Sequence, residues 1–108
     1  MTDMTDTTAD STGISMVRTY SAGVFYGRLD ESTRSADGKR GVVRDARRVW
    51  YWAGAASLSQ LAQSGTSCPQ DCRFPAAVSQ VELTEIIEVI PVTAAALATL
   101  DAVPVWAR

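Results

Sequence analysis

The 108-residue chain contains no histidine, only two cysteines, and no long uninterrupted apolar run. The lack of histidine removes the commonest general base and the commonest metal ligand. A helix that spans a bilayer needs about 20 consecutive apolar residues, and the sequence has no stretch approaching that length. No basic segment followed by an apolar one is visible near the start, so we expect no signal peptide. These features predict an intracellular protein that does not enter a membrane.

The cysteine content and the known catalytic motifs also argue against an enzyme or a metalloprotein. Cys68 and Cys72 are separated by three residues, and two cysteines without histidine cannot supply the four ligands of a zinc site. A disulfide across the three intervening residues is sterically possible, but without a secretion signal we expect two reduced thiols with a structural role. We also expect no metal and no cofactor. No serine has a histidine to activate it, and neither a P-loop nor a dinucleotide fingerprint occurs. The sequence predicts a non-enzymatic protein.

The net charge of −2 is unevenly distributed along the chain. Residues 1–13 carry a charge of −3, residues 14–73 carry +4, and residues 74–108 carry −3. A basic centre between two acidic ends can attract a small anion or pair subunits head to tail. The excess is too small for duplex nucleic acid, which requires a strongly basic face. We therefore expect a small anionic partner or a homo-oligomer, and no duplex nucleic acid.

Length and composition fit a single globular domain. The polar, acidic segment 1–15 has few large apolar side chains and is predicted to be a disordered tail. Structure is expected to begin near Met16, so that residues 16–108 form the domain.

Residues with a high β propensity fall into separate stretches. Asp37-Gly38 is a strong turn signal within the polar segment 30–41, which predicts a hairpin. Gly23 and Gly27 predict a bulge or a close backbone approach. The predicted strands are residues 17–29, 42–53, 81–90 and 103–106.

Two short helices are predicted from capping residues. Ser57 is an N-cap candidate with Gln60 three residues later, and Gly65 occupies the position expected for a left-handed C-terminal residue. Thr93 is the N-cap candidate for a helix over residues 92–102. Together these elements predict an α+β fold, in which a small, mainly antiparallel sheet carries two short helices on one side.

Alternation along the strand 42–53 places four of its large side chains on one face: Arg44, Arg48, Trp50 and Trp52. Arg47 lies on the opposite face. Guanidinium groups bind phosphates, and aromatic rings stack on bases. The alternative is that the tryptophans belong to the core and that the arginines pair with glutamates of a neighbouring strand. Ser57 could add a hydroxyl donor at a helix start that accepts an anion, or could be an ordinary cap. The candidate ligand-binding residues are therefore Arg44, Arg47, Arg48, Trp50, Trp52 and Ser57.

Several segments carry a resemblance to a known group of proteins. The run RRVWYWAGAASLSQLA at 47–62 is the most distinctive, and it is accompanied by VRTYSAGV at 17–24, IEVIP at 87–91 and VPVW at 103–106. Together they resemble a family of small bacteriophage-encoded proteins whose domain has no known function. The acidic tail and the long turn at 30–41 depart from that pattern. The resemblance implies a phage source, and no activity or site residue is transferred with it.

The function expected from these observations is that of a phage accessory protein in the host bacterial cytoplasm. An oligomer of this kind could act as a sponge that binds and sequesters a nucleotide-like immune signal of the host. Two alternatives are a virion component, such as a decoration or tail-accessory protein, and a direct protein inhibitor of a host factor.

Overall fold

The computed structural model describes residues 11–107 and confirms the predicted α+β fold, a small antiparallel sheet with two short helices. Two single turns of 3₁₀ helix, Glu31–Thr33 and Pro69–Asp71, lie in the connections. The strands are β1 (Ser11–Thr19), β2 (Val24–Asp30), β3 (Gly41–Arg48), β4 (Val78–Leu83) and β5 (Ile86–Thr93), and the helices are α1 (Leu58–Ser64) and α2 (Ala94–Asp101).

The five strands form one antiparallel sheet in the order β4-β3-β2-β1-β5. The two edge strands are consecutive in the sequence and are joined only by Thr84 and Glu85. In a flat sheet the edges would be about 19 Å apart, because neighbouring strands are spaced ~4.8 Å. Three Cα–Cα steps reach at most about 11 Å. The sheet therefore curls so that one end of β4 approaches one end of β5.

The curl divides the apolar side chains into two cores. The inner core includes side chains from both edges of the sheet: Val17, Phe25, Leu29, Val43, Ala46, Leu83 and Ile86. The outer core lies between the sheet and the helices, and its largest members include Met16, Tyr26, Leu61, Phe74 and Leu100. Successive residues of a strand point to opposite faces, so Met16 and Val17 belong to different cores. Both faces of the sheet are thus covered.

Strand β1 begins five residues before the predicted start of the domain. Ser11 is opposite Thr93 and Ser15 is opposite Pro91 in β5, and the Thr12 hydroxyl donates to the Val92 carbonyl at 2.8 Å. The prediction of a disordered tail over 1–15 is therefore wrong for residues 11–15, because β5 supplies backbone partners that composition does not reveal. Residues 1–10 of that predicted tail lie outside the described residues.

Two predicted strands are each divided by a turn. The segment 17–29 forms β1 and β2, and the Thr19 amide donates to the Gly23 carbonyl at 3.0 Å. Gly23 has a φ of +92°, which favours glycine. The segment 81–90 is divided between β4 and β5. The hairpin predicted from Asp37-Gly38 is confirmed, since this turn joins β2 to β3.

The helix predictions are confirmed at their caps. The Ser57 hydroxyl accepts from the Gln60 amide at 3.2 Å, and the Thr93 hydroxyl accepts from the Ala96 amide at 3.1 Å. Gly65 ends α1 with a φ of +78°. The Gln60 side chain donates to Ser64 rather than back to the cap.

Two smaller predictions concern the last strand and the cysteines. The strand predicted at 103–106 is reduced to a bridge between Val105 and Phe74. Both cysteines are free, with Cys72 buried and Cys68 partly buried.

Candidate functional site

A bulge in β3 decides where its arginines point. Opposite Gly27 the strand contains one additional residue, and Asp45 has a φ of +50°. A Cβ atom on Gly27 would lie 2.7 Å from the Arg44 carbonyl oxygen, so the close approach predicted for Gly27 is confirmed. The cross-strand pairs on either side of the bulge are Phe25–Arg48, Tyr26–Arg47 and Arg28–Arg44.

The bulge reverses the alternation on which the predicted binding strand depended. Arg44 and Arg47 lie on the same face, whereas Arg48 points to the opposite face, over the Phe25 ring. The predicted alignment of Arg44 with Arg48 is therefore wrong. The strand also ends at Arg48, so Trp50 and Trp52 lie in the loop that follows.

Arg47 is buried, and its guanidinium is enclosed by acceptors from its own chain. Nε donates to the Pro75 carbonyl at 3.0 Å, and one terminal nitrogen donates to the carbonyls of Val103 at 2.9 Å and Phe74 at 3.2 Å. The other terminal nitrogen contacts the Tyr26 hydroxyl at 3.3 Å and the Leu100 carbonyl at 3.4 Å. Since a guanidinium has five N–H donors, none is left for a ligand. The ligand-binding role predicted for Arg47 is corrected to a structural one.

Tyr26 shares this buried cluster. Burial raises the pKa of Tyr26 to about 12, while its hydrogen bond to Arg47 acts in the opposite direction. Its hydroxyl lies 3.1 Å from the Asp101 carboxylate. The cluster ties β2 and β3 to the end of α2 with its polar atoms satisfied.

Arg44 is likewise occupied within the chain. Its guanidinium forms an ion pair with Asp30 at 3.0 Å and a hydrogen bond with the Gln80 side-chain oxygen. Hydrogen bonds from Ser32 and then from Arg44 hold the pKa of Asp30 below its usual value. The alternative in which arginines of this strand pair with glutamates is also incorrect. Glu82 pairs with Arg40, Glu85 accepts from Ser21, and Glu88 pairs with Arg18.

Three of the six predicted residues line one shallow groove of about 370 Å³. Arg48 forms one wall, donates to the Ala22 carbonyl at 2.6 Å, and lies 4.3 Å from the centroid of the Phe25 ring. Trp52 is partly buried against the outer core, and its indole nitrogen donates to the Ala55 carbonyl. Trp50 is 60% exposed. Ser57 caps α1 and is not among the lining residues.

Trp50 also belongs to a second group of side chains, here called the aromatic surface, which consists of Trp50, Tyr51, Arg73 and Trp106. The Trp50 and Trp106 rings are stacked, with centroids 6.1 Å apart and planes inclined by 8°. The Arg73 guanidinium lies 5.8 Å from the ring centroids of both Tyr51 and Trp106. Arg73 is exposed, and it forms no ion pair within the described part of the chain. The surface therefore combines exposed rings with an available positive charge.

Backbone hydrogen bonds hold the aromatic surface in place. The amides of Trp50 and Tyr51 both donate to the Arg73 carbonyl at 3.2 Å, and the Arg73 amide donates to the Tyr51 carbonyl at 2.8 Å. The Trp106 amide donates to the Phe74 carbonyl at 2.9 Å.

Sequence reasoning missed Arg73 and Trp106 as functional candidates. Both come close to Trp50 only through long-range backbone pairing, which local patterns do not reveal. The one available signal was the aromatic residue at the end of the predicted strand 103–106.

The fold and this surface define a small α+β domain with paired aromatic and arginine side chains at its exterior. The chain belongs to the family described as a domain of unknown function, DUF6948, whose model matches residues 13–100. That range includes Arg48, Trp50 and Arg73 and stops before Trp106. No curated protein and no solved structure matches the chain. Neither described helix has the length and apolar character needed to cross a membrane.

Proposed function

We propose that this protein is a non-enzymatic binding protein for a small, anionic, nucleotide-like ligand. The observation that carries the proposal is the exposed Trp50 ring, which joins the groove containing Arg48 to the aromatic surface containing Arg73. A base or another flat ring would stack on the indole, and a phosphate would be held by a neighbouring guanidinium. Stacking on an aromatic side chain contributes about 1–3 kcal/mol per base.

The two arginines beside Trp50 differ in how much of their charge is available. One terminal nitrogen of Arg48 donates a hydrogen bond to the Ala22 carbonyl, and the guanidinium lies over the Phe25 ring. Arg73 is exposed, its guanidinium lies near the rings of Tyr51 and Trp106, and it forms no ion pair among residues 11–107. Arg73 is therefore the stronger candidate for phosphate, and Arg48 would contribute to the wall of the groove.

The biological setting belongs to the same proposal. The resemblance to small phage proteins supports a phage source and a location in the host bacterial cytoplasm. There, a homo-oligomer would act as a sponge that removes a nucleotide-like immune signal. The absence of histidine supports a binding role over a catalytic one.

The test is isothermal titration of the full chain against a panel of cyclic and linear nucleotides. We expect heat from at least one member, with binding lost in Trp50→Ala and weakened about tenfold or more in Arg73→Ala, since a charge-assisted hydrogen bond contributes ~1.5–3 kcal/mol. Tyr20→Ala is the matched control, because Tyr20 is 78% exposed and lies outside the groove lining. No heat with any nucleotide would remove the proposal, as would equal losses in all three variants.

A second candidate function is favoured by the composition of the aromatic surface. Tryptophan, tyrosine and arginine are the residues enriched at the energetic centres of protein interfaces, and Trp50, Tyr51 and Val105 are each more than half exposed. Such a surface would suit a virion component or a direct inhibitor of a host protein. Mass spectrometry of purified particles and a pull-down from host lysate with a Trp50→Ala control test these two roles.

A further inference from the structure

The outer edge of β4 has no partner among residues 11–107. This strand pairs with β3 on one side, and no described element packs along its other side to a comparable extent. Its residues are exposed apart from Val81 and Leu83, and Val78 is 51% exposed. An unpaired strand presents a row of backbone N–H and C=O groups that can pair with another chain.

The two edges of the sheet differ in their protection. The opposite edge strand, β5, contains Pro91, which has no N–H, and α1 packs against it. Strand β4 contains no proline, lysine or arginine. Its single charge, Glu82, is compensated by Arg40 at 3.2 Å. Strand β5 is therefore protected by a proline, whereas the one charged side chain of β4 is already paired within its own copy.

We propose that two copies of this chain pair through β4, in antiparallel orientation about a two-fold axis at Val81. In this register Val81 faces Val81 of the second copy, and each Gln80 faces the other copy's Glu82. A slide by two residues in one direction would place Glu82 opposite the apolar Val78, and a slide by two residues in the other direction would place the two Glu82 side chains opposite each other. Like charges directly opposite destabilise a strand pair, so the Val81-centred register is favoured.

Side-chain hydrogen bonds already present in one copy fit this arrangement. The Gln80 side-chain oxygen accepts from Arg44, which leaves its NH₂ group to donate outward. Glu82 uses one carboxylate oxygen for Arg40, which leaves the other to accept. Pairing would then join Arg44, Gln80, the second copy's Glu82 and that copy's Arg40 in an alternating sequence of donors and acceptors. This complementarity of the neutral donor of Gln80 with the charged acceptor of Glu82 favours a second copy as the occupant of the edge.

The test is sedimentation velocity of the full chain over a concentration series at low salt. Gln80→Glu places two carboxylates opposite two others and is expected to raise the dimer dissociation constant roughly 2- to 30-fold. The same substitution supplies Arg44 with a carboxylate, so the folded monomer should not be weakened. The double variant Gln80→Glu/Glu82→Gln exchanges the two groups and should return the constant to near the wild-type value.

Gln60→Glu is the matched control, because it makes the same change in charge on the exposed start of α1, away from the edge. A monomer at every concentration would overturn the proposal. So would a dimer that Gln80→Glu and Gln60→Glu affect equally, or one that the exchange does not restore. The inference is independent of ligand chemistry, because nucleotide binding by a monomer would refute it while leaving the proposed ligand class intact.

Discussion

Arg47 and Arg73 are the same residue type beside the same kind of partner, yet they belong to different parts of the molecule. Each guanidinium lies over an aromatic ring, 5.3 Å from Phe74 for Arg47 and 5.8 Å from Trp106 for Arg73. Arg47 is buried and has five acceptors within hydrogen-bond distance. Arg73 is exposed and has no carboxylate partner in the described residues.

The difference teaches that the availability of a guanidinium depends on the acceptors around it. Backbone carbonyls at the ends of elements are unsatisfied by those elements and can be collected around one buried arginine. In this chain Arg47 donates to the carbonyls of Pro75 and Val103, and it also contacts those of Phe74 and Leu100, which accept from the Trp106 and Val103 amides as well. An arginine that is near rings alone keeps its donors for something outside the chain.

The largest expected effect is that of Arg47→Ala on folding. Removing this side chain takes the Arg47 donors from the carbonyls of Pro75 and Val103 and leaves a cavity beside Phe74, so the free energy of unfolding should fall by about 3–5 kcal/mol. Urea denaturation followed by circular dichroism measures the loss. Arg73→Ala is the control and should cost less than about 1 kcal/mol, as is usual for exposed positions. Equal stabilities of Arg47→Ala and Arg73→Ala would contradict the assignment of a structural role to Arg47 alone.

An intermediate effect is expected from Tyr26 at high pH. Its pKa is raised from 10.0 to about 12 in the folded protein. Its contribution to stability is therefore fully present below pH 10 and is lost as the pH rises toward about 12. Two pH units at ~1.4 kcal/mol per proton set an upper limit of about 3 kcal/mol, which solvent screening of this group reduces to on the order of 2 kcal/mol.

Tyr26→Phe tests this assignment. The variant should lose stability near pH 8 through the missing hydrogen bonds, and its remaining stability should depend less on pH above 10 than that of the wild type. Thermal melts in a series of alkaline buffers give both quantities. An unchanged alkaline profile would show that another group dominates it.

The parts of the fold that depend on local chemistry could be predicted from the sequence. The hydroxyls of Ser57 and Thr93 cap the first turns of α1 and α2, and Gly65 ends α1 because glycine tolerates the positive φ found there. Asp37-Gly38 marks the turn between β2 and β3 for the same reason. The division of residues 81–90 into two strands could not be predicted. Strands β4 and β5 lie at opposite edges of the sheet, and a two-residue connection between them is possible only because the sheet curls.

The candidate site was predictable in composition and not in geometry. Alternation placed Arg44 beside Arg48, and a single bulge at Asp45 separated them. Burial of Arg47 depended on carbonyls from residues 74–103, which no local pattern associates with β3. Trp50 was named as a ligand-binding candidate with burial in the core as the alternative, and its exposure argues against that alternative. Its neighbours Arg73 and Trp106 are brought to it only by long-range bridges.

A smaller effect on stability is expected from Trp50→Ala. At 60% exposure the ring contributes mainly through its stack with Trp106, so the variant should lose roughly 0.5–1.5 kcal/mol. Phe74→Ala, by contrast, removes a fully buried ring and should cost about 3–5 kcal/mol. Acrylamide quenching of tryptophan fluorescence should lose its most accessible component in Trp50→Ala. A loss of stability equal to that of Phe74→Ala would place Trp50 in the core.

The smallest effect concerns the partly exposed ion pair between Arg44 and Asp30. Because the pKa of Asp30 is held below its usual 3.8, its contribution to stability is present above that value and is lost as the pH falls through the lower folded pKa. Asp30→Asn should therefore flatten the acid limb of a melting profile below about pH 4 while leaving the neutral range nearly unchanged, since exposed ion pairs contribute little. Arg44→Ala should flatten it less, because the Ser32 hydrogen bond to Asp30 remains. If Arg44→Ala flattened the acid limb as much as Asp30→Asn does, Arg44 rather than the Ser32 hydroxyl would be the main cause of the lowered pKa of Asp30, and the guanidinium of Arg44, unlike that of Arg73, would be committed to a carboxylate of its own chain.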